Sequence, residues 1–206
     1  MNIPQSQSCE EHANRRILVV DDDPSIQEDY RKILAPAYDT PEIDRLEADL
    51  FGASDAAAPA IRFELDQAMQ AEEALRKVAE ACLQQRRYAM AFMDVRMPPG
   101  LDGIQATRQL WAIDPHVQVV ICSAYSDHTW EQIVRELGQS DQFLVLRKPF
   151  EAIEVRQLAL AMTTKWNASR DARRLMRELE DRCEALTRQL QLAGDRGVPL
   201  VTALPA

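Results

Sequence analysis

The chain has 206 residues, 46% hydrophobic and 28% charged, with a net charge of −9. That length supports one well-buried core plus an appendage. The acidic balance argues against a protein built to grip nucleic-acid backbones. Residues Met1 to Ser8 are polar and unlike a signal peptide, and no apolar stretch reaches membrane-helix length. Cys9, Cys82, Cys122 and Cys183 are scattered without a Cys-x-x-Cys pair, which suits a reducing, cytoplasmic setting.

Residues 1–15 read as a disordered lead-in. The apolar run Ile17–Val20 then forms a strand that ends in Asp21-Asp22-Asp23. Pro24 opens a helix carrying Ile26, Tyr30, Ile33 and Leu34 on one side. Residues 35–60, with Pro36, Pro41 and Pro59, read as an insertion around a short helical pattern of Ile43, Leu46, Leu50 and Phe51. The alternating Ile61–Leu65 predicts a second strand. A helix over 70–85 follows, with Ala71, Leu75, Val78 and Cys82 on its inner face.

The third strand, Ala89–Met93, ends at Asp94. A loop with Pro98-Pro99-Gly100 and Asp102-Gly103 leads to a helix over Ile104–Trp111, which Asp114-Pro115 breaks. The fourth strand, Val117–Cys122, ends at Ser123, and Asp127 is the expected cap of a helix running to Leu137 and stopping at Gly138. The fifth strand, Phe143–Leu146, leads into Lys148-Pro149, a sequence that invites a cis peptide. This alternation predicts an α/β fold, a doubly wound parallel sheet with helices on both faces. Right-handed crossovers bring the strand ends to one rim, where ligands bind in such sheets.

The final segment obeys a different period. Leu158, Met162, Lys165, Ser169, Ala172, Met176, Leu179, Cys183, Leu186 and Leu190 alternate by four and three, a heptad seam with two polar interruptions. It predicts a long coiled-coil-like helix over about 151–192, with 158–193 as a dimerisation and signalling segment and 194–206 as a flexible tail.

The rim residues share one chemistry. Adjacent carboxylates raise each other's pKa unless a cation resolves the conflict, and Mg²⁺ suits a small set of carboxylate oxygens. A carboxylate there can attack a phosphoryl group. Lys148 supplies a compact positive charge, and Ser123 a hydroxyl that can donate to a phosphoryl oxygen. Each residue alone also has a plain reading: a solvated loop acid or helix cap, a surface lysine, a small residue closing a strand.

Taken together, Ile17 to Pro24, Met93 to Gly103, Ser123-Ala124 and Lys148-Pro149-Phe150 resemble the response-regulator receiver domain over about residues 16–160. The receiver itself is expected over 16–157. The resemblance implies a flavodoxin-like (βα)5 fold and a Mg²⁺-dependent aspartyl-phosphate switch without enzymatic turnover of a substrate. It implies Asp94 as phosphoacceptor, and Asp21, Asp22, Asp94 and the backbone carbonyl of Arg96 around the metal. Ser123 and Lys148 then contact the phosphoryl group. A histidine kinase or phosphotransfer protein is the implied donor, and a downstream signalling protein the implied reader. The tail adds a homodimer through 158–190, with neither nucleic acid nor membrane as partner.

Val145 stands where the family carries an aromatic, three residues before the lysine, with Phe143 on the same strand face. Receivers with an insertion and a trailing helix resemble those fused to diguanylate cyclases or sensor kinases. A phosphorylation-independent scaffold, and a receiver detached from such an effector, are the alternatives. A phosphohydrolase ranks below them, because Arg96 replaces the second acid of an Asp-x-Asp pair.

Overall fold

The computed structural model describes residues 13–35, 61–124 and 129–195. The expected insertion helix, the cap at Asp127 and the C-terminal tail beyond Asp195 lie outside the described residues, as do residues 1–12 of the lead-in. Among the described residues five strands and five helices alternate: β1 (Arg16–Val20), α1 (Pro24–Leu34), β2 (Glu64–Ala68), α2 (Ala71–Leu83), β3 (Met90–Asp94), α3 (Gly103–Ile113), β4 (Gln118–Ser123), α4 (Trp130–Leu137), β5 (Phe143–Arg147) and α5 (Ala152–Asp195). All strand pairs are parallel, in the order β2-β1-β3-β4-β5. This is the flavodoxin-like doubly wound sheet, and its strand order reverses direction between β1 and β3.

The period-2 alternation of the strands sorts their side chains into two cores. Leu18, Val20, Ala91, Met93, Val119 and Ile121 face α2, α3 and α4, meeting Ala74, Val78, Ile104, Leu110 and Ile133. Ile17, Val19, Met90, Phe92, Val120 and Cys122 face the other way, against Tyr30 and Leu34 of α1 and Val155, Ala159 and Met162 of α5. The central strands β3 and β4 are buried at every position, as strands covered on both faces require.

Local chemistry sets the helix starts. Asp23 caps α1 by accepting from the Ser25 amide, with Pro24 in the first turn, and Asp102 caps α3 by accepting from the amides of Ile104 and Gln105. α4 begins at Trp130 behind Thr129, not Asp127: Thr129 and Gln132 exchange side-chain-to-backbone bonds in a capping box. Gly138 then ends the helix with a φ of 80°.

Two elements differ from the sequence expectation. β2 lies three residues later than Ile61–Leu65, because β1 dictates its register: Arg16 pairs with Glu64 and Val20 with Ala68. The heptad seam also changes character along α5. Met162 belongs to the receiver core, Leu158 packs against it, and Lys165 pairs with Asp141. These first seam positions are used inside the chain and are not free for a dimer. The chain divides into two compact units, Met1–Asn167 and Ala168–Ala206.

In the first unit, Asn14 clasps the last turn before that division. Its amide donates to Asn167 Oδ1 at 2.8 Å, and Asn167 Nδ2 donates back to the Asn14 carbonyl at 2.9 Å. In the second unit, Leu175, Met176, Leu179, Leu186 and Leu190 are exposed along the helix. Among the described residues no helix is long and apolar enough to cross a membrane.

Candidate functional site

The strand ends converge as the topology requires. β1 and β3 are neighbours with Val20 paired to Met93, so Asp21 and Asp22 emerge beside Asp94. One carboxylate oxygen from each of Asp21, Asp22 and Asp94 lies within 4.8 Å of the others. Asp21 is 2% exposed and Asp94 7% exposed, while Asp22 is half-buried. Lys148 reaches in from the end of β5, its Nζ 2.7 Å from Asp21 Oδ2 and 2.6 Å from Asp94 Oδ1. The Lys148-Pro149 peptide is cis.

Asp21 and Asp94 are each held from more than one side. Asp21 Oδ1 accepts the Asp23 amide at 3.0 Å, and the Asp21 amide donates to the Ala68 carbonyl at 3.1 Å. Asp94 Oδ2 accepts the Arg96 amide at 3.1 Å. Arg96 is thus anchored at the site by its own N–H. Ser123 is buried at the end of β4, one residue beyond the Asp94–Cys122 pair, and its hydroxyl donates to the Ala124 carbonyl at 3.0 Å. So the structure brings Asp21, Asp22, Asp94 and Lys148 into one charged cluster, with Ser123 at its edge and its hydroxyl turned to its own main chain.

The electrostatics follow from burial. Desolvation raises the Asp94 carboxyl above the usual aspartate range, and the charge of Asp21 adds to this, although Lys148 and the Arg96 amide pull the other way. Burial works to lower the Lys148 ammonium, yet hydrogen bonds to Asp21 and Asp94 outweigh it and hold Lys148 above the usual lysine range. One ammonium among the carboxylates of Asp21, Asp22 and Asp94 leaves the cluster with excess negative charge. Hard oxygen donors with excess negative charge are the ligand set a divalent cation such as Mg²⁺ accepts.

Sequence reasoning passed over two residues of this site. Gly103, in the first turn of α3, lies against the end of β3: a Cβ there would stand 2.0 Å from the Asp94 carbonyl oxygen and 2.8 Å from its carbonyl carbon. The Asp102-Gly103 pair was visible, but only the packed structure shows that α3 needs a residue without a side chain here. Gln27 is 6% exposed on α1, and its Nε2 donates to the Asp21 carbonyl at 2.7 Å and to the Ala68 carbonyl at 2.9 Å. The sequence did hold a signal for it. Gln27 lies three residues before Tyr30 and seven before Leu34, a polar side chain on the buried stripe of its helix.

Val145 is partly buried against the core, and the aromatic group of this region centres on Phe143 instead. Its ring lies 6.4 Å from that of Trp111 and 5.8 Å from that of Trp130. On the opposite face of the sheet, Tyr30 sits between Phe92 and Phe150, its hydroxyl 3.1 Å from Cys122 Sγ.

A doubly wound sheet with an acid triad at its switch point and a lysine against two of the acids is the arrangement to set beside known proteins. The profile of the response regulator receiver domain matches residues 58–160, half of the chain. The chain belongs to the response regulator receiver family. It is 33% identical over 67 residues to sporulation initiation phosphotransferase F of Bacillus subtilis (strain 168), a match covering 32% of this chain and 51% of that protein. The chain thus spans about half the length of the curated relative it matches.

Among solved structures, the fold resembles an adenylate cyclase from Rhodopirellula baltica, with a TM-score of 0.57, 20% identity, and 80% of this chain and 98% of that one covered. It also resembles a CheY-like response regulator receiver domain protein from Methanospirillum hungatei JF-1, with a TM-score of 0.53, 18% identity, and 76% and 98% covered. The profile match begins after β1. The sheet, not the profile, seats Asp21 and Asp22 beside Asp94.

Proposed function

We propose that this protein is a two-component response regulator whose switch is phosphorylation of Asp94. The observation that carries this is the buried cluster of Asp21, Asp22 and Asp94 closed by Lys148. A carboxylate oxygen of Asp94 attacks the phosphorus of a phosphohistidine on a partner kinase or phosphotransfer protein. A P–O bond forms, the P–N bond breaks, and its electron pair leaves on the imidazole nitrogen. Asp21, Asp22, Asp94 and the Arg96 carbonyl would hold Mg²⁺, which supplies positive charge to the transferring phosphoryl oxygens.

Lys148 already touches Asp94 Oδ1 and is placed to pair with the incoming phosphoryl group. The Ser123 hydroxyl must leave the Ala124 carbonyl to donate to that group, which makes its rotation a readout of the phosphorylated state. Loss of phosphate from Asp94 is self-dephosphorylation, not turnover of a separate substrate.

Output, in this reading, passes through the second unit. Residues 172–190 carry an exposed apolar seam at heptad spacing, which fits a parallel pairing with a second copy. A downstream signalling protein then reads the paired helices. A cytoplasmic location follows from the kinase as donor. A receiver that serves a separate cyclase or kinase effector is the alternative, and it shares the Asp94 chemistry.

The test is uptake of one phosphoryl group from acetyl phosphate, followed by intact mass, with and without Mg²⁺. Wild type should gain it only with Mg²⁺, and Asp94→Asn should not. No gain in wild type, or an equal gain in Asp94→Asn, rejects the proposal.

A further inference from the structure

Gln27 is buried in the first turns of α1, against the backbone that carries the acid pair. Its side-chain nitrogen has two protons, and both are used on main-chain carbonyls: Asp21 at 2.7 Å and Ala68 at 2.9 Å. These carbonyls mark the C-terminal ends of two neighbouring strands, β1 and β2, where ladder pairing stops. A buried carbonyl without a donor is costly, so a strand end inside a fold needs a side chain to replace the missing ladder bond. The Gln27 amide does this for the Asp21 carbonyl and gives the Ala68 carbonyl, which already accepts the Asp21 amide, a second donor.

The Asp21 carbonyl has a particular meaning. It belongs to the peptide that joins Asp21 to Asp22. The orientation of that peptide sets the directions from which both side chains leave the backbone. The Asp21 amide on the other side is fixed by the Ala68 carbonyl at 3.1 Å. Since Ala68 is itself held by Gln27, the two strand ends and the acid pair form one hydrogen-bonded unit. Gln67 Nε2 in turn donates to the Gln27 main-chain carbonyl at 2.9 Å, tying that turn of α1 to β2.

The residue type matters as much as the place. A glutamine presents two donors on one neutral nitrogen. A lysine or arginine would bring a full positive charge beneath carboxylates that must attract a cation. A glutamate would set two acceptors against two acceptors. Methionine keeps the length and volume and has no donor.

We propose that Gln27 is a positioning residue for the acid pair, setting the Asp21–Asp22 peptide so that both carboxylates meet Asp94 around a divalent cation. This rests on the reading of the pocket as a Mg²⁺ site. Residues that orient metal ligands from behind typically change affinity by about 10- to 100-fold. Gln27→Met should therefore weaken Mg²⁺ binding by about tenfold.

The experiment titrates the full chain with Mg²⁺ by calorimetry in wild type, Gln27→Met and Gln67→Ala, with circular dichroism confirming the fold of each. Gln67→Ala loosens the same helix turn without touching the Asp21 carbonyl, and should keep wild-type affinity. Equal affinity in Gln27→Met and wild type overturns the proposal, as does an equal loss in Gln67→Ala. If Gln27→Met does not fold, wild type still decides. The Gln27 side-chain amide protons should exchange slowly and shift on adding Mg²⁺, and exchange as fast as that of an exposed glutamine overturns the assignment. A wild type that binds no Mg²⁺ removes the reading of the pocket as well. Normal wild-type binding with an indifferent Gln27→Met removes this inference alone.

Discussion

The two lengths of α5 carry one heptad pattern and meet opposite fates. Met162 and Met176 both lie on the seam, yet Met162 is 2% exposed and Met176 is 61% exposed. Up to Asn167 the helix serves as the last layer of the receiver. Val155, Ala159 and Met162 fill the core beside Phe92 and Val120, and Trp166 is buried as well. From Ala168 on, the same spacing produces a stripe exposed within the chain. A heptad announces that a face needs cover, and leaves open whether the chain's own sheet or another helix supplies it.

Breaking the first length should cost most. Met162→Ala removes a buried side chain from a packed core, with an expected loss of about 2–5 kcal/mol in urea unfolding of the receiver. Met176→Ala should change the same unfolding by less than about 0.5 kcal/mol. Equal costs at the two positions would erase the distinction.

The division between the lengths is next. Asn167 exchanges two hydrogen bonds with the Asn14 main chain and donates a third to the Thr163 carbonyl at 2.8 Å. Asn167→Ala should lower receiver stability by about 1–2 kcal/mol, in line with leaving partly buried main-chain groups unpaired. Asn14→Ala should lose less. It keeps the main-chain bonds and gives up only the Nδ2 contact to the Arg87 carbonyl and the bond from the Arg16 amide to Oδ1.

What was legible in the sequence follows the same physics. Strands β1, β3, β4 and β5 were readable because long apolar runs end abruptly in chemistry-bearing residues. The site was readable because parallel topology sends those ends to one rim. β2 was not placed correctly, since Glu64–Ala68 is a polar edge strand whose register comes from β1 and not from its own pattern. Gly103 and Gln27 were missed for a related reason. Each acts on a main-chain carbonyl, and sequence patterns describe side chains. The first heptad positions, Leu158 and Met162, pack on the receiver core, which the pattern did not reveal because periodicity carries no information about which partner is nearer.

A smaller effect separates a buried charge from exposed ones. Burial holds the Asp94 carboxyl above its ordinary value of 3.8, so the folded chain takes up that proton more readily than the unfolded chain. The associated stability is present below the unfolded value and is lost as pH rises through the folded one; at neutral pH ionised Asp94 is a net cost. Asp94→Asn should therefore raise the melting midpoint at pH 7 without Mg²⁺. The gain should vanish at about pH 3, where both forms are uncharged. A lower midpoint at pH 7 would mean that the Lys148 pair outweighs desolvation.

The smallest expected effect on the receiver is also the most telling for the helix. Leu179 and Leu186 are exposed, one heptad apart on the seam. Replacing both with Lys touches no residue of the receiver core, so urea unfolding of the receiver should move by no more than about 0.5 kcal/mol. Phosphoryl uptake at Asp94 should persist, because the acid cluster and Lys148 remain intact. The mass seen by light scattering should nonetheless fall from dimer to monomer, since two lysines at core positions of a short helical pair bury like charges against each other. An unchanged mass would leave the exposed stripe without a second copy as its cover. A monomer that also loses phosphoryl uptake would tie the two units together in a way the separate fates of Met162 and Met176 do not require.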